Sequence, residues 1–181
     1  MKKRIYLIVF VLMSLFGFSQ SSAIGLEKNN SIVSNFSEAS IVVYQEVAID
    51  KINDFYSYLN LYKEVKSVAL QQEIDINVRT VFFNENVEVF DFIQDNNNVH
   101  LDVLLKQCKK EKFTYTVSNF KKETPSKTNF FLITYDLEII NEAIKKYKMI
   151  QKVYFFPSVK SFGSEKKNVW QLKLGEFNAV Q

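Results

Sequence analysis

A single cysteine, a single histidine, two prolines and four glycines among 181 residues remove several chemistries before any motif is sought. Cys108 cannot close an internal disulfide, so stability must come from packing. With His100 alone there can be no multi-histidine metal centre. Cys108 lies more than two helical turns beyond His100, so one helix could not bring them together as a nucleophile and its base. No glycine-rich phosphate loop, HExxH or GxSxG occurs, and no cofactor is expected. What the chain has in quantity is apolar and aromatic material: 47% hydrophobic residues, 17 phenylalanines and 9 tyrosines. That is enough for one globular domain of ordinary size, or two small ones.

The first residues, MKKRIYLIVFVLMSLFGFSQSSA, place three cations ahead of an apolar run that is too short for a membrane span of about 20 residues. Small residues follow at spacings a signal peptidase can use. Residues 1–19 are read as a cleaved signal, with cleavage after Ser19 and Ala23 as the alternative site. The chain is then exported, to a bacterial periplasm or cell envelope, and no stable membrane span remains after cleavage. The segment holds three basic and no acidic residues, so a mature chain balances 20 Lys and Arg against 20 Asp and Glu. Its formal charge is zero, which argues against a nucleic-acid partner. The short lysine runs, such as Lys109-Lys110 and Lys145-Lys146, are broken by glutamates and read as solvated faces.

Residues 20–38 are polar and read as a flexible leader. From Ala39 the hydrophobic period changes repeatedly. Ile41 to Ile49 is rich in β-branched residues and predicts a strand; Ile52, Phe55, Leu59 and Tyr62 predict a helix. Strands are expected over Val65–Leu70, over Asp75–Phe83 and in VEVFDFI. A loop follows at Asp95–Asn98, then a helix carrying Leu101, Leu104, Leu105 and Cys108, and a strand in FTYTV. The β-α-β-β-α-β order over 39–119 predicts an α+β fold with a ferredoxin-like split βαβ unit. A competing reading runs one helix from Glu38 to Leu70. Residues 129–177 predict a second βαβ(β) unit, with FFLITYD a strand, LEIINEAIKKYKM a helix, VYFF a strand ended or pushed to an edge by Pro157, and VWQLKLGEF a last strand. An 85-residue shift aligns Ile52 with Leu137 and YKEVKSV with YKMIQKV, as a duplication would. The two units are separate or packed as one domain.

EVKSVALQQE and LDVLLKQCKK resemble the second strand and second helix of the small heavy-metal-associated domains. The loop that carries the CxxC of that family reads AIDKIND here. Without two thiolates the basis for copper or zinc capture is gone, and the resemblance bears on fold alone.

Among carboxylates, Asp50 and Asp54 could face a groove, although acids near a helix start also complement its dipole. Asp91 and Asp95 bring oxygen ligands together but lack the glycine of a calcium loop. Cys108 reads as a small apolar filler at the end of its helix. Aromatics are more informative. Adjacent pairs such as Phe82-Phe83 and Phe155-Phe156 must point to opposite faces of a flat strand, and one member then needs a second layer, a partner or a ligand. Phe82, Phe90, Phe92, Phe131 and Phe155 are taken as the candidate binding surface. The reading is a noncatalytic exported binding or assembly module that recognises a protein, a peptide or a small apolar ligand through an aromatic sheet face. Self-association stays open. The alternative is a cell-envelope hydrolase using carboxylates. For a chain secreted by a bacterial host, intact mass is expected to start at Gln20; a chain still starting at Met1 would overturn the cleaved-signal reading.

Overall fold

The computed structural model describes residues 31–124 and 128–180. Residues 1–19, expected as a signal, and residues 20–30 of the expected leader lie outside the described residues. Four helices and six strands follow in the order α1 (Ile32–Asn35), α2 (Glu38–Leu61), α3 (Val68–Val81), β1 (Glu88–Asp91), β2 (Asn96–His100), α4 (Leu101–Lys110), β3 (Thr114–Lys122), β4 (Phe130–Ile140), β5 (Ile144–Phe162) and β6 (Glu165–Ala179). The fold is α+β, with one mixed sheet in the order β2-β1-β6-β5-β4-β3. All neighbours are antiparallel except β1 and β6, which are parallel. Strands from both halves of the chain therefore share one sheet.

The first expected strand, Ile41–Ile49, is helical, which removes the β-α-β-β-α-β order expected for 39–119. Helix α2 runs 24 residues, roughly 36 Å at 1.5 Å per residue. Ser37 caps it, its hydroxyl accepting from the Ser40 N–H at 3.2 Å. Ile41, Gln45, Ala48, Ile52, Phe55, Tyr56 and Leu59 are buried along one stripe, while Val42, Val43 and Val47 face outward. Burial of that stripe outweighs the weak helix propensity of the β-branched residues. The single-helix alternative fits as far as Leu61; there the chain turns, and α3 replaces the strands expected over Val65–Leu70 and Asp75–Phe83. Ile74, Val78 and Val81, buried at helical spacing, carry the correction.

The helix expected in the later half, LEIINEAIKKYKM, is instead the end of β4, a turn at 141–143 and the start of β5. Burial alternates strictly from Phe131 through Ile133, Tyr135 and Leu137 to Ile139. Ile140 then pairs with Ile144 across the turn. The 85-residue echo thus aligned a helix with a hairpin, because Ile and Leu spaced three or four apart also satisfy parts of a period-two pattern. Residues 95–98, expected as loop, form a turn and most of β2. Helix α4 carries its four expected apolar residues buried. Packing starts before Ala39: Ile32 is fully buried and its N–H donates to Thr128. Phe36 meets Phe155 and Trp170 edge-on, with centroids 5.0 Å away in each case.

Helix α2 lies across the inner face and along the edge strand β3, held at both ends by side-chain amides. Asn60 donates to the Tyr115 carbonyl at 2.9 Å and accepts from the Tyr115 N–H at 2.8 Å. Gln45 donates to the Glu123 carbonyl at 3.0 Å. The inner face between them is filled by Phe55, Tyr56, Phe82, Phe92, Tyr115, Tyr135 and Phe177. Inside this filling the Tyr56 and Tyr135 hydroxyls meet at 2.9 Å. Burial, reinforced by the neighbouring phenol, holds the Tyr56 pKa well above its ordinary value. Removing either hydroxyl leaves the other buried without its partner. Tyr56→Phe and Tyr135→Phe are each expected to lose about 1–3 kcal/mol, and the double variant less than the sum, by urea unfolding. Strict additivity would show that the pair is not coupled.

Candidate functional site

Strand alternation decides which member of each aromatic pair reaches a surface. Phe82, Phe92, Phe131 and Phe155, four of the five residues taken as the binding surface, are at most 3% exposed and belong to the core. Phe90 is half-buried against Tyr147, their centroids 5.5 Å apart. It lines a recess of about 760 Å³ with Asp95, Asn97, Asn98, Tyr147 and Asn178. The neighbours of the buried members take the opposite side of the sheet. Phe130 pairs across the β4-β5 ladder with Tyr154, and Tyr154 across the next ladder with Lys173.

On this outer face the Phe83 ring stacks on Tyr154, with centroids at 4.7 Å and planes at 30°. Phe156 meets Phe83 edge-on at 5.2 Å, and Phe130 meets Tyr154 at 6.0 Å. The Lys152 ammonium sits 4.9 Å from the Phe130 centroid and 5.6 Å from that of Tyr154. It also pairs with Glu176 at 3.3 Å, and the Tyr154 hydroxyl donates to the same carboxylate. Burial alone would raise the Glu176 pKa; its backbone hydrogen bond, the Lys152 charge and the Tyr154 hydroxyl outweigh this and bring it below its ordinary value. The outcome is four rings beside an internally neutralised ion pair. Phe83 is 45% exposed, the most open of the four.

Gly175 makes this packing close. A Cβ there would stand 2.5 and 2.9 Å from two carbons of the Tyr154 ring. Opposite it, Gln151 is fully buried, and its amide donates to the Gly175 carbonyl at 3.0 Å. The pairing of β5 with β6 shifts between Gln151 and Val153 at this point, which is how the extra β6 residue is absorbed.

The other sequence candidates lie apart from this face. Asp50 and Asp54 are exposed on α2. Asp91 is 1% exposed and fully engaged: one oxygen accepts from the Ile93 and Gln94 N–H groups, the other from Gln107. It shapes the β1-β2 turn, in which Asp95 takes a φ of 56°. His100 is exposed at the start of α4, and Cys108 is buried in its last turn. Burial pushes the Cys108 thiol up to about 12, and the Tyr115 hydroxyl donates to its sulfur at 3.4 Å. Among the described residues, no three His, Cys, Asp or Glu side chains are placed to hold a metal ion, and no helix is long and apolar enough to cross a membrane.

Sequence reasoning recognised that adjacent aromatics would divide between faces but picked the buried members. It also passed over Gly175 and Glu176. The available signal was the alternation of FFLITYDLEII, which places Phe131, Ile133, Tyr135, Leu137 and Ile139 on one face and so leaves Phe130 on the other. No known family model matches the chain, and no curated protein does.

Gly175→Ala is expected to force the Tyr154 ring off the strand, breaking its stack on Phe83 and its bond to Glu176, at a cost of about 1–3 kcal/mol in urea unfolding. The same substitution in a Tyr154→Ala background should cost clearly less. Equal cost in both backgrounds would mean that the ring is not what Gly175 accommodates.

Proposed function

We propose that the protein is a noncatalytic exported binding module that recognises another protein through the outer aromatic face of its sheet. The observation that carries this reading is the cluster of Phe83, Phe130, Tyr154 and Phe156 on the side of the sheet opposite the helices. The interior has its own complement of rings, so these four are not needed to fill it. Large aromatics left on a surface are anchors of recognition or liabilities for association. Here they are tied into a hydrogen-bonded, charge-neutral unit with Lys152 and Glu176, which fixes the rings before any partner arrives and lowers the ordering cost of binding.

A protein surface suits this arrangement better than a small apolar ligand. Small-molecule sites are concave and enclose most of their ligand. Rings supplied by β4, β5 and the end of α3 spread over a broad face, as at a protein interface with an aromatic centre and polar rim. The flanking charges match within the sheet: Lys146 pairs with Glu138 at 2.8 Å, and Asp136 stands opposite Lys148. Such a face selects by shape and apolar contact rather than by charge. Export is part of the proposal and rests on the order of cations, apolar run and small residues at the start of the sequence.

Native mass spectrometry of the mature protein from a secreting host, without reducing agent, tests the reading. A retained protein partner or second copy is expected, and Phe83→Asp with Phe156→Ser should weaken it at least tenfold while far-UV circular dichroism stays unchanged. A wild-type chain that remains a bare monomer at high micromolar concentration, or carries only a small-molecule adduct, would overturn recognition of a protein by this face.

A further inference from the structure

Strand β6 is paired by β5 along nearly all its length, but among the described residues its other side is occupied only where Phe82 bridges Leu174 and where β1 meets Phe177. The Phe83 N–H donates to the Leu174 carbonyl at 2.7 Å, which fixes the side to which Leu174 turns its backbone groups. Successive residues of a strand turn these groups to opposite sides, and the pairing with β5 runs from Glu165 to Leu174 without a shift. Leu172, Trp170 and Asn168 therefore direct their N–H and C=O groups to that same side. No described segment pairs with them there.

A recess of about 350 Å³ opens beside this edge, between α2 and the β5-β6 ladder. Tyr44, Trp170 and Leu172 supply its apolar wall; Lys51, Lys160 and Lys173 supply its charge. None of these lysines makes an ion pair with a described residue. The Lys173 ammonium donates to the Thr80 carbonyl, and burial, with the charges of Lys51 and Lys160, lowers its pKa. Three cations without an ion pair among the described residues thus converge on a stretch of unpaired strand, close enough that Lys51 and Lys160 act electrostatically on Lys173.

We infer that the open edge of β6 from Asn168 to Leu172 receives an extended acidic peptide segment of a partner protein, added as a strand whose carboxylates meet Lys51, Lys160 and Lys173. Backbone hydrogen bonds to a free edge give such additions their affinity, and the flanking side chains give them specificity. Lysines beside an edge repel basic strands and would have to lose water to a neutral one, which guards against aggregation. Toward an acidic strand the same charges attract, with charge-assisted hydrogen bonds replacing repulsion. The inference stands on this edge and does not rest on the outer aromatic face.

Trp170 is the chain's one tryptophan and lines the recess, so its fluorescence reports occupancy. The probe is a synthetic nine-residue peptide alternating glutamate and valine, titrated into the full mature protein at low salt. A saturable change in Trp170 emission is expected. Binding should weaken at least tenfold when alternate peptide amides are N-methylated, and at least tenfold in the Lys51→Gln/Lys160→Gln variant, whose fold is checked by far-UV circular dichroism. The corresponding lysine-valine peptide should give no saturable change. Absence of saturation with the glutamate peptide up to millimolar concentration would overturn the inference. So would equal binding of the N-methylated peptide, equal binding to the lysine variant, or full competition by succinate at matched concentration, which would indicate an anion site without strand addition.

Discussion

The helices of this protein cover one face of its sheet, and most of what the molecule presents to its surroundings follows from that arrangement. Period-two strands divide their side chains evenly between two faces whether or not both are covered. On the covered side the division produces a filling of tyrosine and phenylalanine rings around the Tyr56–Tyr135 hydroxyl contact. On the other side it leaves aromatic residues without a helix to meet. They lie against one another and against the Lys152–Glu176 pair, so the uncovered face is organised from within.

Helix α2 determines which face is covered. Its apolar stripe supplies Ile52, Phe55, Tyr56 and Leu59 to the interior, while the amides of Asn60 and Gln45 hold the two ends of β3. The edge strand of that side is thereby partly satisfied by side chains in place of a neighbouring strand, a common way of blunting an exposed edge. The opposite part of the sheet has no such cover beside Trp170 and Leu172. One side of the molecule is thus guarded by a helix and the other by lysines, two different physical answers to the same problem of unpaired backbone groups.

Part of this was legible in the residues. The α+β class, helix α4 through Leu101, Leu104, Leu105 and Cys108, and the cores of β3, β4 and β6 follow from local periodicity. So does the placing of Pro157 at an edge: it lies opposite Trp170, just past the point where β4 ends against Tyr154, so its missing N–H forfeits no ladder bond. The split βαβ order did not follow, because β-branched residues at 41–49 favour a strand locally and only tertiary burial of Ile41, Gln45 and Ala48 makes the segment helical. LEIINEAIKKYKM misled for the opposite reason: good helix formers lie at the joined ends of two long strands, where the ladder between β4 and β5 outweighs local propensity. The candidate surface failed on the choice of face. Phe131 shares its face with Ile133, Tyr135 and Leu137 and Phe130 shares its face with Thr134, Asp136 and Glu138, so the alternation of the whole strand, not the aromatic pair by itself, tells the two apart.

Beyond Phe156 and before Gln171, strands β5 and β6 have only each other as strand partners among the described residues and end in a two-residue turn, where Gly163 takes a φ of 64° that other residues rarely adopt. Residues 159–168 at its tip are exposed. Because the tip contributes nothing to the core, its length and composition can change at little cost to the fold. Gly163-Ser164 is accordingly the natural place to splice in a reporter or an extra loop. It is also where descendants of this sequence could diverge in what they touch while keeping the same interior.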